Sequence, residues 1–549
     1  MNHSLSQRLS HGLLVGGWLL LGLLLRVWQF GWHPLREDEA LYGYWARLIS
    51  SGRDVMLERV AVDKPPFFIY ALARWFGWFG PSDASGRSLN VLISFLTLIL
   101  TWLLARRLFG PRGGRWSLAF YALSPFAISF APTMYTDPLL TLWIVLALLA
   151  ASWRMGLLAG LALGMGFATK QNALLFIPLI LLALPLGRFP KAISNQYATF
   201  SRNRHGAKRW MAAIGYGALP LTTAALGFWY IWFKVWQWDG WRILPAEIPD
   251  FWTQSWHSYG GLRLVSPDAW PERLGEWWRV WRWWGGGAVG AMLVAGLSAV
   301  AVAVAWRRVR ELSKQHSVNS MQHLVFDKQY AVSREQAESD AFPDYWILLF
   351  AIFSLAYLAL HFFLSFQTWD RYLLPLAPLS AMISAQGALW LWRQSRNGKR
   401  VGRWGAAALI TSILLLGAGR AATAQIPIGG DHGAYDGLTI VADYLRGHTP
   451  NRHGLVYQRW LGWQWDWYLW DGPPREYWAD PEMLVDNLAP HPTGFTRFVV
   501  FPGWRLSEKP ALEAALAPLG LGLAERLRVI DPSSGEIKFA VYQIVSQQP

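Results

Sequence analysis

Runs of about 20 apolar residues recur along the chain, and this is the length that an α-helix needs to cross the hydrocarbon core of a bilayer. The first run covers residues 12–30, and similar runs continue to about residue 424. Hydrophobic residues make up 53% of the 549 residues and charged residues only 15%, which is typical of a membrane protein. The sequence therefore predicts a polytopic α-helical membrane protein with about 11 to 13 transmembrane helices.

The apolar runs predict where these helices lie. They fall near residues 12–30, 88–105, 116–132, 138–153, 155–169, 171–187, 211–233, 285–306, 345–366, 373–392 and 404–424. Residues 65–80 are too short and too rich in Trp and Gly to be counted with them. If this segment lies in the membrane interface, every short basic loop falls on one face, as the positive-inside rule requires. We therefore expect an interfacial or re-entrant helix there.

The same topology predicts which polar segments face outward. Within a transmembrane domain of residues 1–425, residues 31–87 form a first external loop with interfacial helices, and residues 234–284 form a second. Charged residues far apart in the sequence then share the outer face, namely Asp38, Asp63, Lys64, Asp137, Lys170, His257, Asp370 and Arg371. We expect a multi-pass protein of the plasma membrane whose site lies on the extracytoplasmic side. The N-terminal run lacks a small-residue cleavage site and is expected to be an uncleaved anchor.

Charge and composition exclude several classes of function. The formal charge of +15 would suit a nucleic-acid-binding protein, but the basic residues are divided among short loops, which membrane orientation explains better. The chain has no Cys, so a disulfide framework, Cys-ligated zinc and a thiol nucleophile are excluded. The glycine-rich run at 285–290 opens a membrane helix without a preceding strand, unlike a dinucleotide site. We expect no nucleic-acid partner and no nucleotide cofactor.

The character of the chain changes near residue 426. Apolar runs shorten to the length of strands at 454–458, 497–501, 527–530 and 538–544, and helical patterns separate them. This alternation predicts a soluble α/β domain over residues 426–549, on the extracytoplasmic side. The tryptophan-rich segment 460–470 either borders the acceptor or packs in the ordinary way.

Three consecutive acids, Glu37, Asp38 and Glu39, follow the first apolar run. Carboxylates at the edge of a membrane are costly and are often functional. Asp is also a favoured helix N-cap, and a helical apolar pattern continues from Leu41 to Gly52, which suits the C′ position. Capping and catalysis both remain open for Asp38. Catalysis gains support because one acid would be enough for a cap.

The other charged positions also have two interpretations each. Lys64 precedes a double proline and can either extend along the membrane edge or bind a phosphate. Arg371 can pair with Asp370 or bind an anion, since an arginine at a helix N-terminus opposes the macrodipole and guanidinium offers phosphate two parallel donors. Asp137 is either a helix N-cap or part of a site. His257 is either an interfacial histidine or a ligand.

An ordered set of motifs carries a family resemblance. The motifs are DEALYGYWA at 38–46, DKPP at 63–66, TDPLLTLW at 136–143, ATKQNALLFIP at 168–178 and RYLLPLAPL at 371–379. Together they resemble the membrane glycosyltransferases of the protein O-mannosyltransferase and aminoarabinose transferase superfamily. The resemblance implies a GT-C fold that transfers a sugar from a polyprenyl-phosphate carrier to an acceptor hydroxyl of a protein, lipid or glycan, with inversion at the anomeric carbon.

The resemblance also implies roles for single residues. Asp38 corresponds to the general base that faces the acceptor, and Glu39 and Asp137 are the further acids of the site. The residues assigned to the donor and its phosphate are Lys64, Lys170, Arg371 and Tyr372. Asp63 and His257 correspond to metal ligands of the aminoarabinose branch, which implies a divalent metal ion. Trp256 stands where an acid usually precedes that histidine, so the metal site departs from the family pattern.

Two other classes of function use the same charges. A transporter or flippase of lipid-linked saccharides would line a pathway with them, but such proteins usually have two similar halves, and this chain has no such repeat. A membrane-anchored binding protein would place its activity in residues 426–549. We expect a glycosyltransferase, because displacement at an anomeric carbon needs a base for the acceptor and cations for the departing phosphate.

Overall fold

The structure is a computed structural model that describes residues 2–28, 30, 33–60, 62, 64–187, 263–322, 328–365, 368–394, 400–428, 431, 433–449, 454–488 and 495–547. The chain forms two compact units. The first comprises Met1–Phe30, Asp54–Ala71 and Arg87–Gly429, and the second comprises Gly31–Arg53, Leu72–Gly86 and Gly430–Pro549. The second unit therefore includes two pieces of the segment predicted as the first external loop as well as the C-terminal residues.

Helices account for the structure up to residue 422. In chain order they are α1 (Asn2–Val27), α2 (Glu37–Ser50), α3 (Phe67–Phe79), α4 (Asp83–Ala122), α5 (Pro125–Phe130), α6 (Asp137–Ser152), α7 (Gly156–Thr169), α8 (Ile177–Leu186), α9 (Trp270–Trp284), α10 (Ala288–Gln322), α11 (Lys328–Phe363), α12 (Ala377–Gln394) and α13 (Arg400–Ala422). Two 3-10 segments, Gln171–Phe176 and Asp370–Leu376, lead directly into α8 and α12.

Within the described residues, five segments are long and apolar enough to cross a membrane. They are Asp83–Ala122, Ala288–Lys314, Phe342–Phe363, Asp370–Gln394 and Trp404–Ala422, and shorter apolar helices lie at Gly12–Val27, Asp137–Ser152, Gly156–Thr169 and Gln171–Leu186. Large apolar side chains on these helices are exposed, such as Leu355 at 67% and Leu416 at 70%, as expected of side chains that have lipid as their solvent. The predicted polytopic membrane fold is confirmed, and the helix predicted near 211–233 lies outside the described residues.

Several helices have bounds that differ from the prediction, and the differences in α4 and α5 bear on the loop that leads into α6. The run at 88–105 belongs to the longer α4, which breaks at Gly110, where φ is 73° and Pro111 follows. The segment predicted as one helix over 116–132 is interrupted between α4 and α5. Pro125 has no N–H for a helical hydrogen bond, and Ser124 before it is extended, with ψ at 114°. The chain can therefore form a buried loop after α5, and this loop leads into α6.

The C-terminal part of the second unit is a sheet with helices. Its helices are α14 (Leu438–His448), α15 (Gly462–Tyr468), α16 (Pro481–Asp486) and α17 (Lys509–Leu516), and its strands are β1 (Gly454–Gln458), β2 (Arg475–Tyr477), β3 (Thr496–Pro502), β4 (Leu521–Ile530) and β5 (Ile537–Ser546). The strand order is β2-β1-β3-β5-β4. β1 is parallel to β2 and β3, whereas β5 is antiparallel to β3 and β4.

Both faces of this sheet are buried. Val456, Phe498 and Val541 pack in one cluster with Trp465 of α15. The alternate residues of the same strands, including Val499, form the second cluster with residues of α16 and α17. Because successive side chains of a strand point to opposite faces, a central sheet between helices fits the near-continuous apolar strands. The α/β character predicted for this part of the chain is confirmed.

Candidate active site

A buried ion pair joins α6 to the end of α7 in the first unit. Lys170 Nζ donates to Asp137 Oδ1 at 2.6 Å, and neither side chain is more than 3% exposed. Asp137 is the first residue of α6, and Thr136 occupies the N-cap position. The carboxylate of Asp137 is therefore used for the pair, not for a helix cap. Burial of either charge alone would be costly, so each ion depends on the other.

The 3-10 segment before α12 brings Arg371 and Tyr372 into the same unit. Lys170 Nζ lies 4.4 Å from the centroid of the Tyr372 ring. The guanidinium of Arg371 lies over the rings of Tyr135 and Trp369, 4.9 Å from each centroid. Such contacts stabilise a cation that is partly removed from water, and they hold Arg371 beside the loop that leads into α6.

Lys64 belongs to the same electrostatic group. The positive charges of both Arg371 and Lys64 act on the ammonium of Lys170. Just after Lys64, the ring of Phe67 lies 6.2 Å from the ring of Trp143 on α6, so the start of α3 packs against the helix that carries Asp137. Three cations thus lie in the region of Asp137, and a phosphate is an anion that such cations can bind.

Aromatic residues of α11 support the segment that carries Arg371. The hydroxyl of Tyr357 donates to the carbonyl of Tyr372 at 2.8 Å. The ring of His361 stacks on the ring of Tyr357 with 4.3 Å between centroids, and its Nδ1 lies 2.9 Å from the Tyr357 carbonyl. The backbone at Tyr372 is therefore fixed from a neighbouring helix.

Asn90 holds the loop that leads to Asp137. Its side chain is fully buried, and its amide donates to the carbonyls of Thr133 at 2.7 Å and Tyr135 at 2.8 Å. The sequence analysis missed this residue. A single amide within the apolar run of α4 is the signal that would have found it, because polar groups at membrane depth are usually retained for a reason.

We expect Asn90→Leu to destabilise the first unit. The substitution removes both donors and leaves two buried carbonyls unsatisfied, at a cost of about 1–3 kcal/mol each. Thermal unfolding of the detergent-purified protein measures the loss. The matched control is Thr101→Val on the same helix, because the Thr101 hydroxyl donates to the carbonyl of Thr97 within α4 and does not hold the loop. Equal melting temperatures for the two variants would contradict the role of Asn90.

Asp38 and Glu39 lie in the first turn of α2, in the second unit. Glu37 is exposed, Asp38 is half-buried and Glu39 is fully buried. Arg36 is the N-cap residue, and Glu39 Oε2 accepts its backbone N–H at 3.2 Å and its guanidinium at 3.3 Å. The capping interpretation of Asp38 is therefore wrong, because Glu39 does the capping. Gly52, with φ at 72°, follows the end of α2 as predicted.

Residues 431–436 of the second unit contact the segment that enters α2. Arg36 Nε lies 3.1 Å from Asp431 Oδ2, and His33 Nδ1 lies 2.8 Å from Asp436 Oδ1. The pKa of Tyr435 is raised to about 12, mainly because its hydroxyl is buried. The negative charges of nearby carboxylates, including Glu37, act in the same direction. Tyr435 therefore keeps its proton at neutral pH and remains a hydrogen-bond donor near the acids of α2.

The predicted metal ligands Asp63 and His257 lie outside the described residues. In the part of the chain that the structure describes, there is no group of three or more His, Cys, Asp or Glu residues that could hold a metal ion. The metal site implied by the resemblance therefore stays a prediction.

Comparison with protein families and curated proteins gives two matches. Residues 63–199 match the model of the dolichyl-phosphate-mannose-protein mannosyltransferase family. The undecaprenyl phosphate-alpha-4-amino-4-deoxy-L-arabinose arabinosyl transferase of Pseudomonas aeruginosa (strain UCBPP-PA14) is 29% identical over 232 residues, which are 39% of this chain and 36% of the relative. The chain thus aligns with little more than a third of that relative's length.

Solved structures are similar over almost the whole chain. ArnT from Cupriavidus metallidurans in the apo state has a TM-score of 0.57 at 14% identity, with 96% of this chain and 98% of that chain covered. The same protein bound to undecaprenyl phosphate has a TM-score of 0.53. The apo oligosaccharyltransferase of Archaeoglobus fulgidus has a TM-score of 0.51 at 15% identity, with 96% and 74% covered. At these identities the likeness shows a common fold.

Proposed function

We propose that this chain, which is an ArnT-like membrane protein with the GT-C fold, transfers a sugar from a polyprenyl-phosphate-linked donor to an acceptor hydroxyl. The observation that carries the proposal is the group of three cations, Lys64, Lys170 and Arg371, in the first unit, where Lys170 pairs with Asp137. Ionisable groups in a membrane protein are costly and are usually retained for a function. A phosphate carried by a lipid is an anion that such a group of cations can bind.

The proposed reaction is one displacement at the anomeric carbon. The acceptor oxygen attacks this carbon from the side opposite the phosphate, so a new C–O bond forms while the bond to the phosphate oxygen breaks, with inversion. The carboxylate of Asp38 takes the proton of the acceptor hydroxyl, a contribution of about 10²- to 10⁴-fold in rate. The bonding electron pair leaves with the polyprenyl phosphate.

The cations of the first unit serve the departing phosphate. Lys64 and Arg371 are half-buried and donate to the phosphate oxygens as negative charge develops on them. Lys170 adds a third positive charge, and Asp137 together with the ring of Tyr372 holds its ammonium in place. Asp137 thus acts through Lys170 and is a positioning residue.

The acceptor is a hydroxyl of a protein, lipid or glycan, and the reaction takes place on the extracytoplasmic side. The distribution of short basic loops supports this side, because such loops remain in the cytoplasm. The C-terminal domain then lies outside the membrane on the same side as the reaction. The P. aeruginosa relative is named for undecaprenyl phosphate-linked 4-amino-4-deoxy-L-arabinose, which makes this lipid the first donor to test.

The purified protein in detergent, incubated with undecaprenyl phosphate-linked sugars and candidate acceptors, tests the proposal. Release of undecaprenyl phosphate together with a glycosylated acceptor, both followed by mass spectrometry, is the expected result. Movement of the intact donor across the bilayer of reconstituted vesicles, without any release of the carrier, would instead establish the flippase alternative and overturn the proposal.

We expect Arg371→Gln to raise the KM for the lipid donor by roughly 10- to 100-fold, since a charge-assisted hydrogen bond contributes about 1.5–3 kcal/mol. Arg371→Lys should retain part of the affinity, because it keeps the charge but loses the planar pair of donors. Initial rates at varied donor concentration measure the effect. Arg310→Gln is the control, since Arg310 is an exposed arginine on α10. An equal donor KM for both Gln variants would remove Arg371 from the donor site.

A further inference from the structure

Helix α15 is anchored in the core of the sheet domain. Trp465 of the helix and Leu469, the residue after its end, are both buried there. Arg446 of α14 donates to the carbonyl of Tyr468 at 2.7 Å, which adds a second anchor to the same domain. The helix is therefore fixed to the sheet, and the residues between these anchors are held in a defined position.

Tyr468 and Trp467 bind two separate pieces of the first external loop. The hydroxyl of Tyr468 donates to Asp83 Oδ2 at 2.6 Å and accepts the backbone N–H of Leu35 at 2.7 Å. The indole N–H of Trp467 donates to Asp83 Oδ1 at 2.7 Å. Both oxygens of one carboxylate are thus bound by α15, and one phenol hydroxyl connects that carboxylate to the residues that enter α2.

The other end of α2 is held by the same segment. Arg47 donates to the carbonyl of Trp467 at 3.3 Å, and its guanidinium lies 4.6 Å from the centroid of Trp470. The guanidinium of Arg53 lies 4.4 Å from the centroid of the Trp470 ring, and its Nη2 lies 2.6 Å from Asp471 Oδ1. The exposed ion pair of Arg53 and Asp471 contributes little to stability by itself. Together with the Arg47 contacts, it lies at the C-terminal end of α2, whereas Leu35 precedes the N-terminal end.

We propose that Tyr468 is a positioning residue for Asp38, and that the C-terminal domain is for this reason part of the catalytic apparatus. The proposal rests on the proposed function, in which Asp38 is the base. Asp38 lies three residues after Leu35. Residues 467–471 contact the chain at both ends of α2. A base has to lie within hydrogen-bond reach of the proton it takes, and a misplacement of about 1 Å is enough to cost 100-fold in rate.

Ordinary packing of the tryptophan-rich segment would not require the hydroxyl of Tyr468. An aromatic ring alone fills space, whereas here the hydroxyl both donates and accepts. The backbone N–H of Leu35 is bound by this side chain at a place where the chain has not yet entered the hydrogen-bonding pattern of α2. Removal of one oxygen atom therefore separates the positioning role from packing.

Tyr468→Phe is the test, and Tyr477→Phe on strand β2 is the matched control, because Tyr477 is half exposed and lies in the same domain. We expect Tyr468→Phe to lower kcat by about 10- to 100-fold with the donor KM unchanged. In the Asp38→Asn background the same substitution should lower the residual rate no further, because Tyr468 acts through Asp38. A kcat equal to that of Tyr477→Phe, or a full additional loss in the double variant, would overturn the proposal.

Hydrogen exchange provides a readout that needs no activity. We expect the amide of Leu35 and the first turn of α2 to exchange about tenfold faster in Tyr468→Phe than in the wild type, while strands β1 and β3 are unchanged. Unchanged exchange at Leu35 would overturn the positioning role. If the wild type shows no transferase activity but exchange at Leu35 still rises, the proposed function fails while the support of α2 by Tyr468 stands.

Discussion

Asp38→Asn is expected to lower the rate of sugar transfer by at least about 100-fold while the affinity for the lipid donor stays near the wild-type value. An amide has almost the same shape as a carboxylate but cannot take the proton of the acceptor hydroxyl. Asp38 is half-buried in the first turn of α2, and Glu39 supplies the cap there. The substitution should therefore leave the helix in place, at a cost of only about 0.3–1 kcal/mol from the weaker interaction with the helix dipole.

Glu37→Gln is the control for this variant. Glu37 lies next to Asp38 in the same turn and is exposed, so its replacement removes the same charge from the same helix end without removing the proposed base. Release of polyprenyl phosphate and the melting temperature are measured for both variants. Similar rates for Asp38→Asn and Glu37→Gln would show that a nearby negative charge, not proton transfer by Asp38, supports the reaction.

The membrane fold could be predicted from sequence because length and hydrophobicity decide it almost alone. A run that crosses a bilayer has to satisfy its backbone as a helix, so the apolar parts of α10 and α13, Ala288–Lys314 and Trp404–Ala422, begin close to the predicted runs. The interruption at Pro125 was missed because the apolar character continues through it. The missing N–H of the proline, a local effect, prevailed over hydrophobicity there.

In the C-terminal domain the longer strands were predicted, but β2 and α15 were not. β2 has only three residues, which is too few to show a period. α15 lies in the segment GWQWDWY, where tryptophans alternate with polar residues without a helical pattern. Its position depends on Trp465 in the core and on the contacts of Trp467 and Tyr468, none of which local sequence specifies.

For the candidate site, the sequence identified residues but not their partners. Asp137 and Lys170 are separated by 33 positions, and only the packing of the helices that carry them makes them an ion pair. The family resemblance assigned Asp137 to the acids of the site and Lys170 to the binding of the donor. Their ion pair, and the hydrogen bonds of Asn90 to the loop before Asp137, could not be predicted from local sequence because both are tertiary contacts.

Asp137→Asn and Lys170→Met are each expected to destabilise the protein by about 3–5 kcal/mol, because either change leaves a buried charge without its partner. The loss should be larger than for a surface pair of similar length. Lys509 and Glu513 are 2.7 Å apart but partly exposed, so Glu513→Gln should cost less than about 1 kcal/mol. Thermal unfolding in detergent measures all three variants, and equal losses would show that the Asp137 pair is not isolated from solvent.

The double variant Asp137→Asn/Lys170→Met separates stability from donor binding. With both charges removed, no unpaired ion remains, and the melting temperature should return close to the wild-type value. The donor KM should stay high and transfer slow, because the third cation near Lys64 and Arg371 is still absent from the proposed phosphate site. If the double variant recovered transfer together with stability, the pair would have a structural role only. Lys170 would then have no part in holding the donor, and the phosphate would depend on the two half-buried cations.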